Sequence, residues 1–243
     1  MRFRKSHQPP LQRELVKIYG NFLQLFLMFF VSSLIALLIF SLLTKYVFFA
    51  LGSVLLRLNA LHNFNMVVLF LLFTLFFTVL FSFMTVIINE AVRSAKTRVW
   101  SFDKDLIVSR VVRLSFFIFV VNLLTNTVLV SQNVAFSPWV LFVLLFLHLI
   151  LFFVPPAISL DDFSFSKSVE VSVKLFFSHW WWVLAWLLFS VFLLVVGEGV
   201  LFFILSPSIG KFIIPLFNVF FVLPLLIILQ SLIYLRVMYR LAP

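Results

Sequence analysis

This chain has no cysteine, and only five of its 243 residues are glycine. Without cysteine there is no disulfide, no thiolate metal site and no thiol nucleophile. Charge is also scarce: 11% of residues are Asp, Glu, Lys or Arg, and eight of them are acidic. The sequence has no GxxxxGKS/T phosphate loop, no GxSxG elbow and no HExxH pair, so it supplies no motif for an ATPase, a serine hydrolase or a zinc enzyme. The four histidines, His7, His62, His148 and His179, share no short motif. No catalytic residue, cofactor or metal is therefore implied.

Apolar side chains are plentiful. They make up 64% of the chain, with 36 Phe, more than a soluble core could bury. Several apolar stretches are long enough to cross a bilayer. The reading is an all-α, polytopic membrane protein in one integral domain over 1–243. Its six spans fall at about 22–43, 64–88, 114–130, 139–154, 180–205 and 212–232. The opening "MRFRKSHQPPLQRELVKIYGNFLQLFLMFF" is basic and then apolar for too long to be a cleaved signal. We read 1–21 as a cytoplasmic basic and amphipathic segment leading into the first span.

The net charge is +10, but the cations flank the apolar segments instead of forming a basic domain. This argues against nucleic acid and for membrane lipids with anionic headgroups, with another membrane protein as a further candidate partner. With the N-terminus inside, 1–21, 89–113, 155–179 and 233–243 face the cytoplasm. Of the 18 Lys and Arg, only Lys45, Arg57 and Lys211 fall outside those segments. The positive-inside rule then places both termini in the cytoplasm and the chain in the cytoplasmic (inner) membrane.

The inner connectors resemble one another. "SFDKDLIVSRVVR" from Ser101 and "SFSKSVEVSVKLF" from Ser164 share five of thirteen positions at an offset of 63 residues. "LQRELVKIYGNFLQLF" also precedes a span. The economical architecture is three units, each a short interfacial helix followed by a membrane hairpin; generic linkers before apolar runs would look similar.

The connector "VPPAISLDDFSFSKSVEVSVKLFFSHWWW" sharpens that expectation. Pro155 and Pro156 suit the end of the fourth span. Asp161 and Asp162 suit the start of a short interfacial helix, where carboxylates meet free amides. Trp180, Trp181 and Trp182 suit an aromatic belt at the headgroups, with an aromatic cage as the alternative.

Polar groups within the expected spans are few, and such groups are costly enough to mark sites. Glu198, between Gly197 and Gly199, is the leading candidate. Either it is buried, with a raised pKa suited to proton exchange or cation pairing, or it reaches headgroup water. Asn122 and Asn126, one turn apart beside Thr125 and Thr127, suit hydrogen bonds between helices. Glu90 suits a helical pair with Arg93. Asp103, Asp105, Asp161 and Asp162 could meet at the inner surface around a divalent ion, although nearby lysines favour plain solvation.

The proline-terminated span followed by "AISLDDFSFSKSVEVSVKLFFSHWWWVL" resembles a loose group of bacterial and archaeal membrane proteins. The group includes the YciC-like proteins and the membrane domain attached to some glycerophosphodiester phosphodiesterases. Pro156, Ile158, Asp161, Ser172 and Trp181 stand at the matching places, while Phe and Val replace the group's Gly and Ala. The resemblance implies a six-span fold and transfers no catalytic residue. Three functions follow as expectations. The leading one is a non-enzymatic scaffold or accessory protein; the others are a transporter or transporter subunit for a lipid-like or apolar solute, using Glu198, and a lipid enzyme using inner carboxylates.

Overall fold

A proline- and glycine-free run of 34 residues builds the longest straight element, and it is easy to see why it is a helix. In hydrocarbon every backbone amide must bond within its own segment, and nothing in this run interrupts the ladder. The computed structural model describes residues 47–50, 53–56, 64–97, 104–131, 138–204, 213–214 and 217–240. A two-stranded antiparallel hairpin comes first, β1 (Val47–Ala50) and β2 (Ser53–Leu56), with Val47 opposite Leu56 and Ala50 opposite Ser53. The helices follow: α1 (Phe64–Thr97), α2 (Lys104–Ser131), α3 (Pro138–Ile150), α4 (Val154–Asp161) and α5 (Phe165–Ile204). A five-residue π-turn, Asn218–Val222, then leads into α6 (Leu223–Arg240).

Among the described residues four stretches are long and apolar enough to cross a membrane: Phe64–Ala95, Asp105–Val128, Trp139–Asp161 and Phe165–Leu201. The expected first span, 22–43, lies outside the described residues. The expected sixth span meets α6, whose apolar part, Leu223–Tyr239, is shorter than the other four. The hairpin in the segment after the first expected span was not anticipated from the sequence.

The two connectors fare differently. Residues 104–113 do not form a separate interfacial helix but are the first turns of α2. Residues 165–178 do form a helix of their own, joined to the next span across a kink at His179 (φ −139°, ψ 32°), where the expected span begins. The continuity of α2 avoids the four unpaired carbonyls that a helix end would expose. At 1.5 Å per residue α1 is about 51 Å long and α2 about 42 Å, so both exceed the roughly 30 Å hydrocarbon layer.

The proline pair also acts differently. It does not end the fourth span; it opens α4 in its first turn, after a three-residue turn at 151–153. Proline is well suited there, since its missing N–H falls where a helix start has unpaired donors anyway. Asp161 and Asp162 do not begin the next helix either. Asp161 is the last residue of α4, and Asp162 caps it in the left-handed region (φ 57°), with the Phe163 amide donating to Ala157 O at 3.3 Å.

These departures leave α4 as a short wedge between two apolar cores. Val154 and Ile158 pack with Met84, Val86, Ile88, Leu114, Ile227 and Ile228 of α1, α2 and α6. Ala157 and Leu160 pack on the other side with Leu175, Val183, Ile233 and Tyr234 of α5 and α6. Six of the eight α4 residues are buried.

Candidate functional site

A broken span leaves carbonyls without partners, and in a membrane those carbonyls need replacement donors. Pro156 has no N–H to offer Phe152 O, and Gln230 of α6 supplies one instead, its Nε2 donating at 2.5 Å. The amide of Val154 turns to Leu151 O (3.0 Å), which leaves Ile150 O free for the Ser172 hydroxyl of α5 at 2.7 Å. The same hydroxyl accepts from the Phe153 amide at 3.0 Å. Two side chains from two other helices therefore repair the break between α3 and α4.

Further along α4, Ser159 joins an uncharged relay. Ser231 of α6 donates to Asn89 Oδ1 of α1, and Asn89 Nδ2 donates to Ser159 Oγ, which donates in turn to Pro155 O at 2.7 Å. All three side chains are fully buried. An amide with both ends engaged ties three helices at one point, which apolar contact alone would not specify.

The end of α4 carries the charges. Glu90 of α1 accepts from Arg110 Nη1 of α2 at 3.0 Å, with side-chain exposures of 7% and 2%. Arg110 Nε lies 3.5 Å from Asp162, which also pairs with Arg113. Arg113 adds bonds to the carbonyls of Asp162 (3.2 Å) and Phe163 (3.1 Å), so one guanidinium clamps the turn after α4. Asp161 accepts from two hydroxyls of α6, Tyr234 at 2.5 Å and Tyr239 at 2.6 Å. Both tyrosines lie beyond the expected sixth span. Burial, the bond to Asp161 and its negative charge push Tyr234 far above the usual phenol value. The bond to Asp161, helped by partial burial, pushes Tyr239 up to about 12.

The positions singled out in the sequence fare unequally. Glu90, expected to pair with Arg93 one turn away, has a carboxylate that reaches twenty residues along the chain to Arg110. Asn122 and Asn126 are buried, and Asn126 Nδ2 donates to both the carbonyl and the side chain of Asn122 at 2.8 Å, within one helix. Thr125 turns back to Val121 O in the same way, so the bonds between these groups lie within α2. Trp180 and Trp181 are exposed and edge-to-face, 5.5 Å between centroids. Trp182 lies under the Arg236 guanidinium at 5.8 Å. Glu198 falls within α5, but its side chain lies outside the described residues.

Asp103 is also outside the described residues, and Asp105 is exposed at the start of α2. Among the described residues no three His, Cys, Asp or Glu converge as a metal site would require. Asp161 and Asp162 are engaged by tyrosine and arginine, which leaves general acid–base chemistry without an uncommitted carboxylate at this point. The sequence reading missed Asn89, Arg110, Ser159, Gln230 and Ser231. One signal was available: Asn89 and Glu90 are adjacent polar residues at the end of a long apolar run.

No protein-family model, no curated protein and no solved structure matches this chain. Its class follows from the fold alone. The chain is a multi-pass helical membrane protein, and its inner polar network is tied together around a short, proline-started helix.

Proposed function

We propose that this chain is a transporter, or the membrane subunit of one, for a lipid-like or apolar solute. In this reading it has six spans, both termini in the cytoplasm and a place in the cytoplasmic membrane, among anionic lipid headgroups. One observation carries the proposal: Glu90 and Arg110 form a buried ion pair between two apolar helices. Desolvating two such charges costs several kcal/mol, and an apolar pair of similar volume would stabilise a passive bundle at least as well. Such a pair is more than packing alone requires.

The interrupted span at Leu151–Phe153 supports the same reading. Breaks whose freed carbonyls are met by neighbouring helices recur where membrane proteins handle solutes. Glu198 stays in the proposal as a second intramembrane acid, with Asn122 and Asn126 as polar neighbours of a path. The kinship with YciC-like proteins also stands as a proposal, resting on Pro156, Ile158, Asp161, Ser172 and Trp181.

The test is transfer of a fluorescent phospholipid across vesicles holding the purified chain, read by quenching the outer leaflet. Wild type is expected to expose the inner-leaflet label, and Glu90→Gln, reconstituted from the fraction that elutes as a folded protein, to slow it at least tenfold. Glu198→Gln, run alongside, shows whether the second acid shares the task. Wild-type vesicles no faster than empty ones would sink the transport reading and return the chain to the scaffold class.

A further inference from the structure

The inner network continues outward along one face of α1. Thr74, Thr78, Ser82, Thr85 and Asn89 follow one another at intervals of four, four, three and four residues. At 100° per residue they occupy an arc of about 80°, and from first to last they rise about 22 Å, most of the thickness of a hydrocarbon layer. Four of them have no exposed surface and Thr85 has 1%. The far side of the same turns, Leu72, Phe76, Val79 and Phe83, is exposed, as a lipid-facing side should be.

A hydroxyl in an apolar helix ordinarily turns back to a carbonyl of the preceding turn. Thr78 does so to Leu75 O (2.8 Å) and Thr85 to Phe81 O (2.9 Å). Thr74 Oγ1 and Ser82 Oγ do not, and each is buried without a hydrogen-bond partner. An unmet hydroxyl in such surroundings costs free energy that a water molecule would recover. The inner end of the stripe is Asn89, which is bonded to α4 and α6. Glu90 is next to it in sequence, and through Arg110 the polar line reaches Asp162, whose side chain is 40% exposed.

We propose that the Thr74–Asn89 face of α1 lines a hydrated path into the bundle, holding a file of water molecules that bond to Thr74 and Ser82. The stripe carries hydroxyls and an amide but no charge, so it suits water and neutral hydrogen-bonding groups and opposes bare ions. What such a path serves rests on the transport reading; its wetness does not.

The absence of cysteine makes the test direct. Single variants Ser82→Cys and Thr78→Cys are placed in membrane vesicles beside the lipid-facing Phe83→Cys and the water-exposed Lys167→Cys. Each is treated with methyl methanethiosulfonate, a small neutral reagent whose sulfenyl sulfur is attacked by a thiolate, giving a methyl disulfide and releasing methanesulfinate; thiolates form only where water reaches. Ser82→Cys and Thr78→Cys are expected to react at least tenfold faster than Phe83→Cys. Stripe cysteines as slow as Phe83→Cys would mean a dry packing face and overturn the inference. Should Ser82→Cys not fold, Thr78→Cys decides by the same comparison. A wet stripe without phospholipid transfer would remove only the transport reading, and transfer with a dry stripe only this one.

Discussion

The two ends of α1 are held by different forces. From Met84 to Val92 every residue is buried, and Asn89 and Glu90 bond there to two hydroxyls and a guanidinium from three other helices. From Phe64 to Phe83 one side faces outward with Leu, Phe and Val, as hydrocarbon permits. Burial against lipid brings little gain, since lipid tails are as apolar as leucine, so the outer half has few reasons to prefer one arrangement. At the inner end, removing one partner leaves a buried polar group stranded, and that penalty specifies the arrangement.

The comparison can be broken most severely at the ion pair. Arg110→Leu should destabilise the bundle by about 3–5 kcal/mol, because Glu90 is left charged and buried. Thermal unfolding in detergent reads this, and adding Glu90→Leu should return much of the loss. Ser172→Ala comes next: it strands Ile150 O and the Phe153 amide at the break, for an expected cost of about 1–3 kcal/mol. Loss of rigidity should appear as faster hydrogen exchange at Phe153.

Asn89→Leu should cost about 1–2 kcal/mol, because Ser159 and Ser231 lose their shared partner. Phe76→Ala, on the outer half, should stay within about 0.5 kcal/mol, since its side chain is partly in lipid already. An outer substitution as costly as the inner ones would end the contrast.

Tyr239 gives the smallest effect and a pH signature. Its hydroxyl is pushed up to about 12 by its bond to Asp161, against about 10 in an unfolded chain. Below pH 10 both states keep the proton and stability is flat. Between 10 and about 12 the unfolded chain loses it first, so stability falls as pH rises. Tyr239→Phe should make that fall less steep, leaving the part due to Tyr234, while costing about 0.5 kcal/mol or less at neutral pH, the side chain being largely exposed.

Much of the fold was legible because hydrocarbon imposes a simple rule: the apolar runs at 64–88 and 114–130, and that from 180 as far as Ile204, fall inside helices. The start of α2 was not, since Lys104 to Arg113 has an amphipathic sequence that serves equally as an interfacial helix or as the extension of a span, whereas the break expected before Trp180 falls at His179. Nor was the role of the proline pair, which can stop one helix or start another, and only the donors Gln230 and Ser172 decide between them. The site was less legible still. Glu90 meets Arg110 twenty residues on, and Ser231 meets Asn89 across 142 residues, distances at which local spacing carries no information. Glu198 drew attention because it was isolated, whereas the polar groups that meet are spread over four helices in ordinary-looking positions.

The most direct test of the inner network is a double-mutant cycle on Glu90→Gln and Arg110→Gln, read by thermal unfolding in one detergent. We expect each single variant to be strongly destabilised and the double variant to lose much less than their sum, a coupling of at least about 1.5 kcal/mol. Additive losses would mean that the two side chains do not depend on each other, and would contradict the buried pair on which this account turns.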